Sequence, residues 1–186
     1  MSKIWLVLTL MTSFLLKTSA SAQQVGAKSN VLHDVTTTMN LGLEVGLSSR
    51  WTLDLPVSYN PWDFSGNRKF KLWLIQPEMR YWMCEKFSGH FFGIHAHMGG
   101  YNAGAIKWLG IEKYRYQGTL YGAGVSYGYQ WVLSPRWSIE ATIGLGYAYL
   151  SQSKYLCEKC AVKIEDTTRN YFGPTRVGVS LIYMMK

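Results

Sequence analysis

Apolar and polar residues alternate with a period of two along most of this chain, and that pattern admits few folds. Residues 40–47 read Asn-Leu-Gly-Leu-Glu-Val-Gly-Leu, with every odd position apolar. In residues 51–60, Trp51, Leu53, Leu55, Val57 and Tyr59 share one face, while Thr52, Asp54, Pro56 and Ser58 share the other. Successive side chains of a strand point to opposite faces, so such runs read as strands with one apolar surface. Eight strands are predicted, near 24–33, 40–47, 51–60, 71–83, 90–101, 119–132, 137–150 and 171–184. The connections Ser48–Arg50, Cys84–Gly89 and Leu133–Arg136 are short, whereas Pro61–Phe70, Asn102–Gly118 and Ser151–Asn170 are long. On the long-loop side only Asp34–Met39 is brief. Short turns at one end and long loops at the other predict an eight-stranded antiparallel up-and-down transmembrane β-barrel, with both termini on the periplasmic side.

Alternation alone does not say which face points inward, because a soluble barrel is apolar inside and a membrane barrel apolar outside. Glycine decides in part. Gly42, Gly46, Gly122, Gly124, Gly128, Gly144, Gly146 and Gly178 lie on the polar face of their strands. Glycine weakens a strand, so a solvent-facing surface has no use for it, but the cramped interior of an eight-strand barrel does. Aromatic placement decides the rest. On the apolar face Trp51, Tyr81, Trp131, Trp137 and Tyr183 lie at the short-turn ends, and Tyr59, Trp73, Tyr121, Tyr147, Tyr149 and Tyr171 near the long-loop ends. Two aromatic girdles around an aliphatic band suit a bilayer, since Trp and Tyr favour its interfaces. The apolar face is therefore expected outside, against outer-membrane lipid, and the polar face inside as a filled interior.

The N-terminus agrees with export. Lys3 precedes an apolar run, Ile4–Leu16, and Ala20-Ser21-Ala22 is a small-x-small cleavage site. That run is too short for the roughly 20 residues of a spanning helix, so residues 1–22 are expected to be a signal peptide and residues 23–186 the barrel. Removing Lys3 and Lys17 leaves 17 basic residues against 11 acidic ones, a net charge of +6.

Several segments resemble one family. Asn40–Leu47, Trp51-Thr-Leu-Asp54, Tyr59-Asn-Pro-Trp62, Gln76-Pro-Glu-Met-Arg-Tyr-Trp82, Gly89-His-Phe-Phe-Gly93 and Tyr101-Asn102 are similar to a small-protein family of Bacteroidota known as domain of unknown function 3575. The resemblance spans most of the mature chain and is weakest over residues 151–170. It implies an outer-membrane barrel in an anaerobic, often gut-dwelling lineage, in which such genes often neighbour those for surface fimbriae. It brings no catalytic residue with it.

Parity gathers a charge network on the inward face: Lys28, Glu44, Asp54, Glu78, Arg80, Glu140 and Arg176. The second hairpin sets Glu44 opposite Asp54, with Lys28 and Arg80 as the expected partners. These groups could line an ion path, but a salt-bridged plug is the plainer reading, because such a barrel is just wide enough for side chains to fill and buried charges need partners. His95 and His97 share the same face, and pairing across the Cys84–Gly89 turn puts them opposite Glu78 and Gln76. A histidine satisfied by the interior is favoured over a zinc ligand, so no metal and no other cofactor is expected. Cys157 and Cys160, in the longest outer loop, are read as a local disulfide that leaves Cys84 unpaired.

Function is less constrained. The outer loops interleave Arg68, Lys69, Lys107, Lys113, Arg115, Lys154, Lys159, Lys163 and Arg169 with Trp62, Phe64, Trp108, Tyr114, Tyr116 and Tyr155. This surface suits lipid phosphates, an anionic glycan or a surface protein, and nucleic acid is not expected in that compartment. The expectation is a non-enzymatic outer-membrane barrel whose loops act in surface assembly, adhesion or ligand interaction. One alternative is an outer-leaflet lipid-modifying hydrolase or acyltransferase built on His33 and Asp34 with Ser65 or Ser153, which requires His33 and a serine within hydrogen-bond reach. The other is a conduit for small apolar solutes, which requires an open interior.

Overall fold

The computed structural model of the chain describes residues 24–64, 68–106, 111–156 and 163–185. In chain order the elements are β1 (Val25–Asn30), α1 (Val31–Val35), β2 (Met39–Gly46), β3 (Trp51–Asn60), β4 (Asp63–Phe64), β5 (Arg68–Ile75), β6 (Glu78–Trp82), β7 (Gly89–Ile106), β8 (Ile111–Val132), β9 (Trp137–Leu156) and β10 (Lys163–Met185). They form one closed antiparallel barrel of eight staves: β1, β2, β3, β5 with β6, β7, β8, β9 and β10, in which β1 pairs with both β2 and β10. The two-residue β4 is an extra strand on β5. The fourth stave is broken at Gln76-Pro77, where proline has no N–H for the ladder. It stays docked because Gln76 N donates to Pro56 O at 3.1 Å and Ala96 N to Pro77 O at 3.0 Å.

The short turns and the first and last described residues gather at what we call the lower end, and α1 lies at the upper end. Two departures from the sequence reading follow. First, β7 to β10 run 18, 22, 20 and 23 residues, against 6, 8 and 10 for β1 to β3. Much of the two stretches read as long loops, Asn102–Gly118 and Ser151–Asn170, is therefore strand. These residues pair in continuous register, as in Asn102↔Gln117, Gln117↔Ser153 and Thr168↔Ser151. The upper rim is thus oblique, with one side raised by roughly 30 Å along the strands at about 3.3 Å per residue. Second, β10 shifts register between Pro174 and Arg176. Above that irregularity its parity inverts. Tyr171, opposite the buried Ala148, therefore joins the inner face rather than the outer girdle, and Phe172 turns out with 82% exposure.

The two faces are inverted relative to a soluble protein. Buried side chains include Lys28, Glu44, Asp54, Glu78, Arg80, His95, His97 and Glu140, whereas Leu41, Leu53, Ile94, Val125, Ile143 and Leu145 are exposed. The lower interior is closed by aromatics. Trp82 lies 4.8 Å from Phe91 and 6.1 Å from Phe87, centroid to centroid, and its indole N–H reaches Thr52 Oγ1 at 2.9 Å. Phe87 takes a positive φ of 63° in its turn, and its ring is buried.

Candidate functional site

The interior network occupies the middle of the barrel, and its seven charged side chains are drawn from six of the eight staves. Register sets Glu44 opposite Asp54 and Glu78 opposite His95. Arg80 is central. Its Nη1 donates to Glu44 Oε2 at 2.9 Å and Glu140 Oε2 at 2.7 Å, while Nη2 lies 3.0 Å from both Asp54 Oδ2 and Glu78 Oε2. Its guanidinium also stands 4.3 Å above the Phe91 ring. Lys28 Nζ reaches Glu44 at 2.5 Å, Glu140 at 3.2 Å and Asp54 at 3.5 Å. Arg176 completes the set with Asp54 at 2.8 Å and Glu78 at 2.9 Å. Hydroxyls take further carboxylate lone pairs: Thr52 donates to Glu44, Thr142 to Glu140 and Ser126 to Glu78, while Asp54 Oδ1 has no hydrogen-bond partner among the described residues. Three bases and four acids thus bind each other where unpaired charge would be costly.

His95 and His97 lie just above, rings 5.7 Å apart. His95 Nε2 meets Thr175 Oγ1 at 2.9 Å, while Nδ1 of both rings has no protein partner among the described residues. Glu78, the acid opposite His95, is already bound to two arginines. Among the described residues no three His, Cys, Asp or Glu side chains are placed to hold a metal ion.

The upper mouth is covered by α1. Asn30 caps it, accepting from Leu32 N at 3.1 Å. Asp34 ties it down through Asn40 Nδ2 at 2.7 Å and Ser29 Oγ at 2.9 Å. His33 Nδ1 meets the hydroxyl of the buried Ser58 at 2.8 Å. Below α1 and above the network lies a polar cavity of about 100 Å³, bordered by His33, Asn40, Ser58, Gln76 and Arg176. The His33–Ser58 contact was not foreseen, since Ser58 reads from sequence as one more inward polar residue. Of the serines foreseen, Ser153 donates to Asp166 at 2.6 Å and does not meet His33, and Ser65 lies outside the described residues.

On the raised sheet, Arg115 Nε donates to Asn102 at 2.7 Å and Tyr101 Oη to Gln152 at 2.8 Å. This surface is therefore ordered strand. Residues 1–22, Lys107, Trp108, Cys157, Lys159 and Cys160 lie outside the described residues, and the side chains of Phe64, Arg68, Lys69, Lys113, Tyr114 and Lys163 are not among those described. Cys84 is free and exposed in its lower turn.

With this geometry in hand, the chain can be compared with known proteins. The family described as protein of unknown function (DUF3575) matches residues 6–185. The chain belongs to that family. No curated protein and no solved structure matches it. The family's description assigns no chemistry, so the DUF3575 barrel has to be read from its own side chains.

Proposed function

We propose that this chain is an integral outer-membrane barrel, closed by its interior network, that acts without catalysis through its raised outer sheet. The observation that carries this reading is the inversion of the wall. Seven charged side chains are inside, and a belt of Leu, Ile and Val is outside. Rows of exposed aromatics flank that belt, including Trp51, Trp131 and Trp137 below and Tyr59, Trp73, Tyr121 and Tyr147 above. In water such a surface would drive aggregation, whereas lipid satisfies it. The lower end, with both termini, then faces the periplasm and the raised sheet faces outward. Arg115, Lys154 and Arg169, with Tyr116 and Tyr155, offer that sheet's contacts to an anionic glycan or a surface protein. The packed network and the Trp82–Phe87–Phe91 cluster weigh against the solute conduit. Fractionation tests the reading: the mature chain should pellet with outer membranes and migrate faster on gels before boiling. Recovery as a detergent-free soluble monomer overturns it.

A second reading has one observation in its favour, the His33–Ser58 contact. A neutral imidazole against a serine hydroxyl is the start of a nucleophile–base pair. Among the described residues no acid completes it, because Asp34 faces Ser29 and Asn40 rather than His33, and the cavity admits only a small acyl group. On the first reading the contact simply latches α1 over the mouth. A fluorophosphonate probe separates the two. Labelling that is lost in Ser58→Ala supports an acyl hydrolase or transferase, and no labelling leaves the latch.

A further inference from the structure

One pattern is spelled twice. Ser48-Ser-Arg50-Trp51-Thr52-Leu53-Asp54 leads into β3, and Ser134-Pro-Arg136-Trp137-Ser138-Ile139-Glu140 leads into β9. These strands are the third and seventh of eight staves, so the copies lie across the barrel from each other. Their backbones repeat as well. Leu47 N donates to Trp51 O at 2.8 Å and Leu133 N to Trp137 O at 3.0 Å, while Trp82 N and Met184 N donate to Arg50 O and Arg136 O, both at 2.8 Å. The inward half of each copy sends a hydroxyl and an acid toward the interior, and Asp54 and Glu140 both join the network.

The outward halves have no such role, yet they too are alike. Trp51 rests on Tyr81 of the next stave with centroids 5.1 Å apart, and Trp137 rests on Tyr183 at 5.0 Å. Arg50 Nη1 lies 3.4 Å from Tyr81 Oη, and Arg136 Nη1 lies 3.5 Å from Tyr183 Oη. Both hydrogen bonds are solvent-exposed, so neither contributes much to stability. Each spends one of five guanidinium donors, leaving the fork open at the lower edge of the apolar belt. Above the first copy the wall sinks into an apolar groove of about 430 Å³, with Trp51 and Tyr81 at its lower end and Phe92, Ile94, Val125 and Leu145 along it. A cation and hydroxyl at one end of an apolar slot fit an amphiphile with an anionic head.

We propose that the two Arg-Tyr-Trp triplets are phosphate-binding sites for glycerophospholipids of the periplasmic leaflet, with one acyl chain lying in the groove above Trp51 and Tyr81. This rests on the membrane reading above. The planar guanidinium matches two phosphate oxygens in a way that a lysine does not, and the tyrosine hydroxyl supplies a further donor. The Trp ring lies at the depth of the glycerol backbone, where indole is favoured.

The test is native mass spectrometry of the folded full chain in detergent, with dipalmitoyl phosphatidylglycerol and dipalmitoylglycerol as probes. The first carries the phosphate and the second does not. The wild type should retain up to two phosphatidylglycerol molecules and at least tenfold less diacylglycerol. Arg50→Gln and Arg136→Gln should each remove one bound lipid, and the double variant both, with the fold-dependent gel mobility intact. Equal retention of the two probes by the wild type overturns the proposal without any variant, as does undiminished phosphatidylglycerol binding by the double variant. A chain that never gains fold-dependent mobility or enters bilayers fails the membrane reading instead, and is recognised before lipid is added.

Discussion

Glu44 and Asp54 stand directly opposite each other on β2 and β3, both fully buried. Two carboxylates so placed repel, and both stay charged only if cations reach them together. Lys28 and Arg80 each contact both. The network is therefore a set of shared contacts and not a row of separate pairs, which makes its members interdependent.

Lys28→Met should accordingly destabilise the barrel by roughly 3–5 kcal/mol, the range for removing one partner of a buried charge pair. Adding Glu44→Gln should recover part of that loss, because the repulsion goes with it. Unfolding midpoints in urea, read from gel mobility, measure both. A Lys28→Met protein as stable as wild type would mean that the ammonium is not buried among the acids.

Gly93 leaves the space that the Glu78 carboxylate occupies. A Cβ there would stand 2.8 Å from Glu78 Cδ and closer still to Glu78 Oε1 and Ser126 Oγ. Arg80 and Arg176 hold that carboxylate in place, so it cannot yield freely. Gly93→Ala should cost about 1–3 kcal/mol, as overpacking does, and the same unfolding assay checks it. Gly89 makes a useful contrast: it has open space around it but a φ of +80°, so Ala there acts through backbone strain alone.

His33 gives the mouth a pH dependence. Burial holds its imidazole below the usual histidine pKa, and Arg176 adds to this against the opposing pull of Asp34. The unfolded chain thus binds the proton more readily, and stability falls as pH drops from about 6.5 toward the lower folded value. Protection factors of the α1 amides, taken against the intrinsic exchange rate at each pH, should fall across that window. His33→Gln should flatten the response, and an unchanged profile in that variant would assign it to another group.

Cys84 should remain apart from the other two cysteines. It lies in a lower turn, whereas Cys157 directly follows Leu156 at the upper end of β9. A disulfide needs Cα atoms within about 7 Å, and β9 alone spans 20 residues. Non-reducing peptide mapping should find Cys84 labelled by maleimide, with Cys157 and Cys160 either bonded to each other or free. An intrachain bond from Cys84 to either of them would contradict the topology.

Where one face of a strand is apolar, the sequence was legible. The Leu-x-Leu-x-Val alternation placed β2 and β3, and the same parity sent Glu44, Asp54, Glu78 and Arg80 inward. Above the belt both faces meet polar surroundings, so around Asn102 or Gln117 no alternation remains to read, and only pairing between neighbouring hairpins extends the strands. One added residue near Thr175 inverted Tyr171, because parity arguments fail at the first bulge. His33 and Ser58 are 25 positions apart, on a five-residue helix and the third stave. Nothing local marks such a meeting. The Arg-Trp repeat is present in the sequence too, but the sequence reading finds no repeat beyond the hairpin, because this one is a likeness between two distant turns and not a hydrophobic pattern.

The barrel is sealed where Val25 lies opposite Met185. That seam joins the first stave to the last, so every residue between must be synthesised before the ring can close. Until then Glu44, Asp54, Glu78 and Glu140 have no enclosed interior to share. Contacts this distant in sequence are the slowest to form, so the order of events is constrained: local hairpins first, the seam and the ion network together at the end. A chain lacking the last stave should therefore arrest as an open sheet with two adhesive edges, and the rate of folding should be governed by a contact only six residue pairs long.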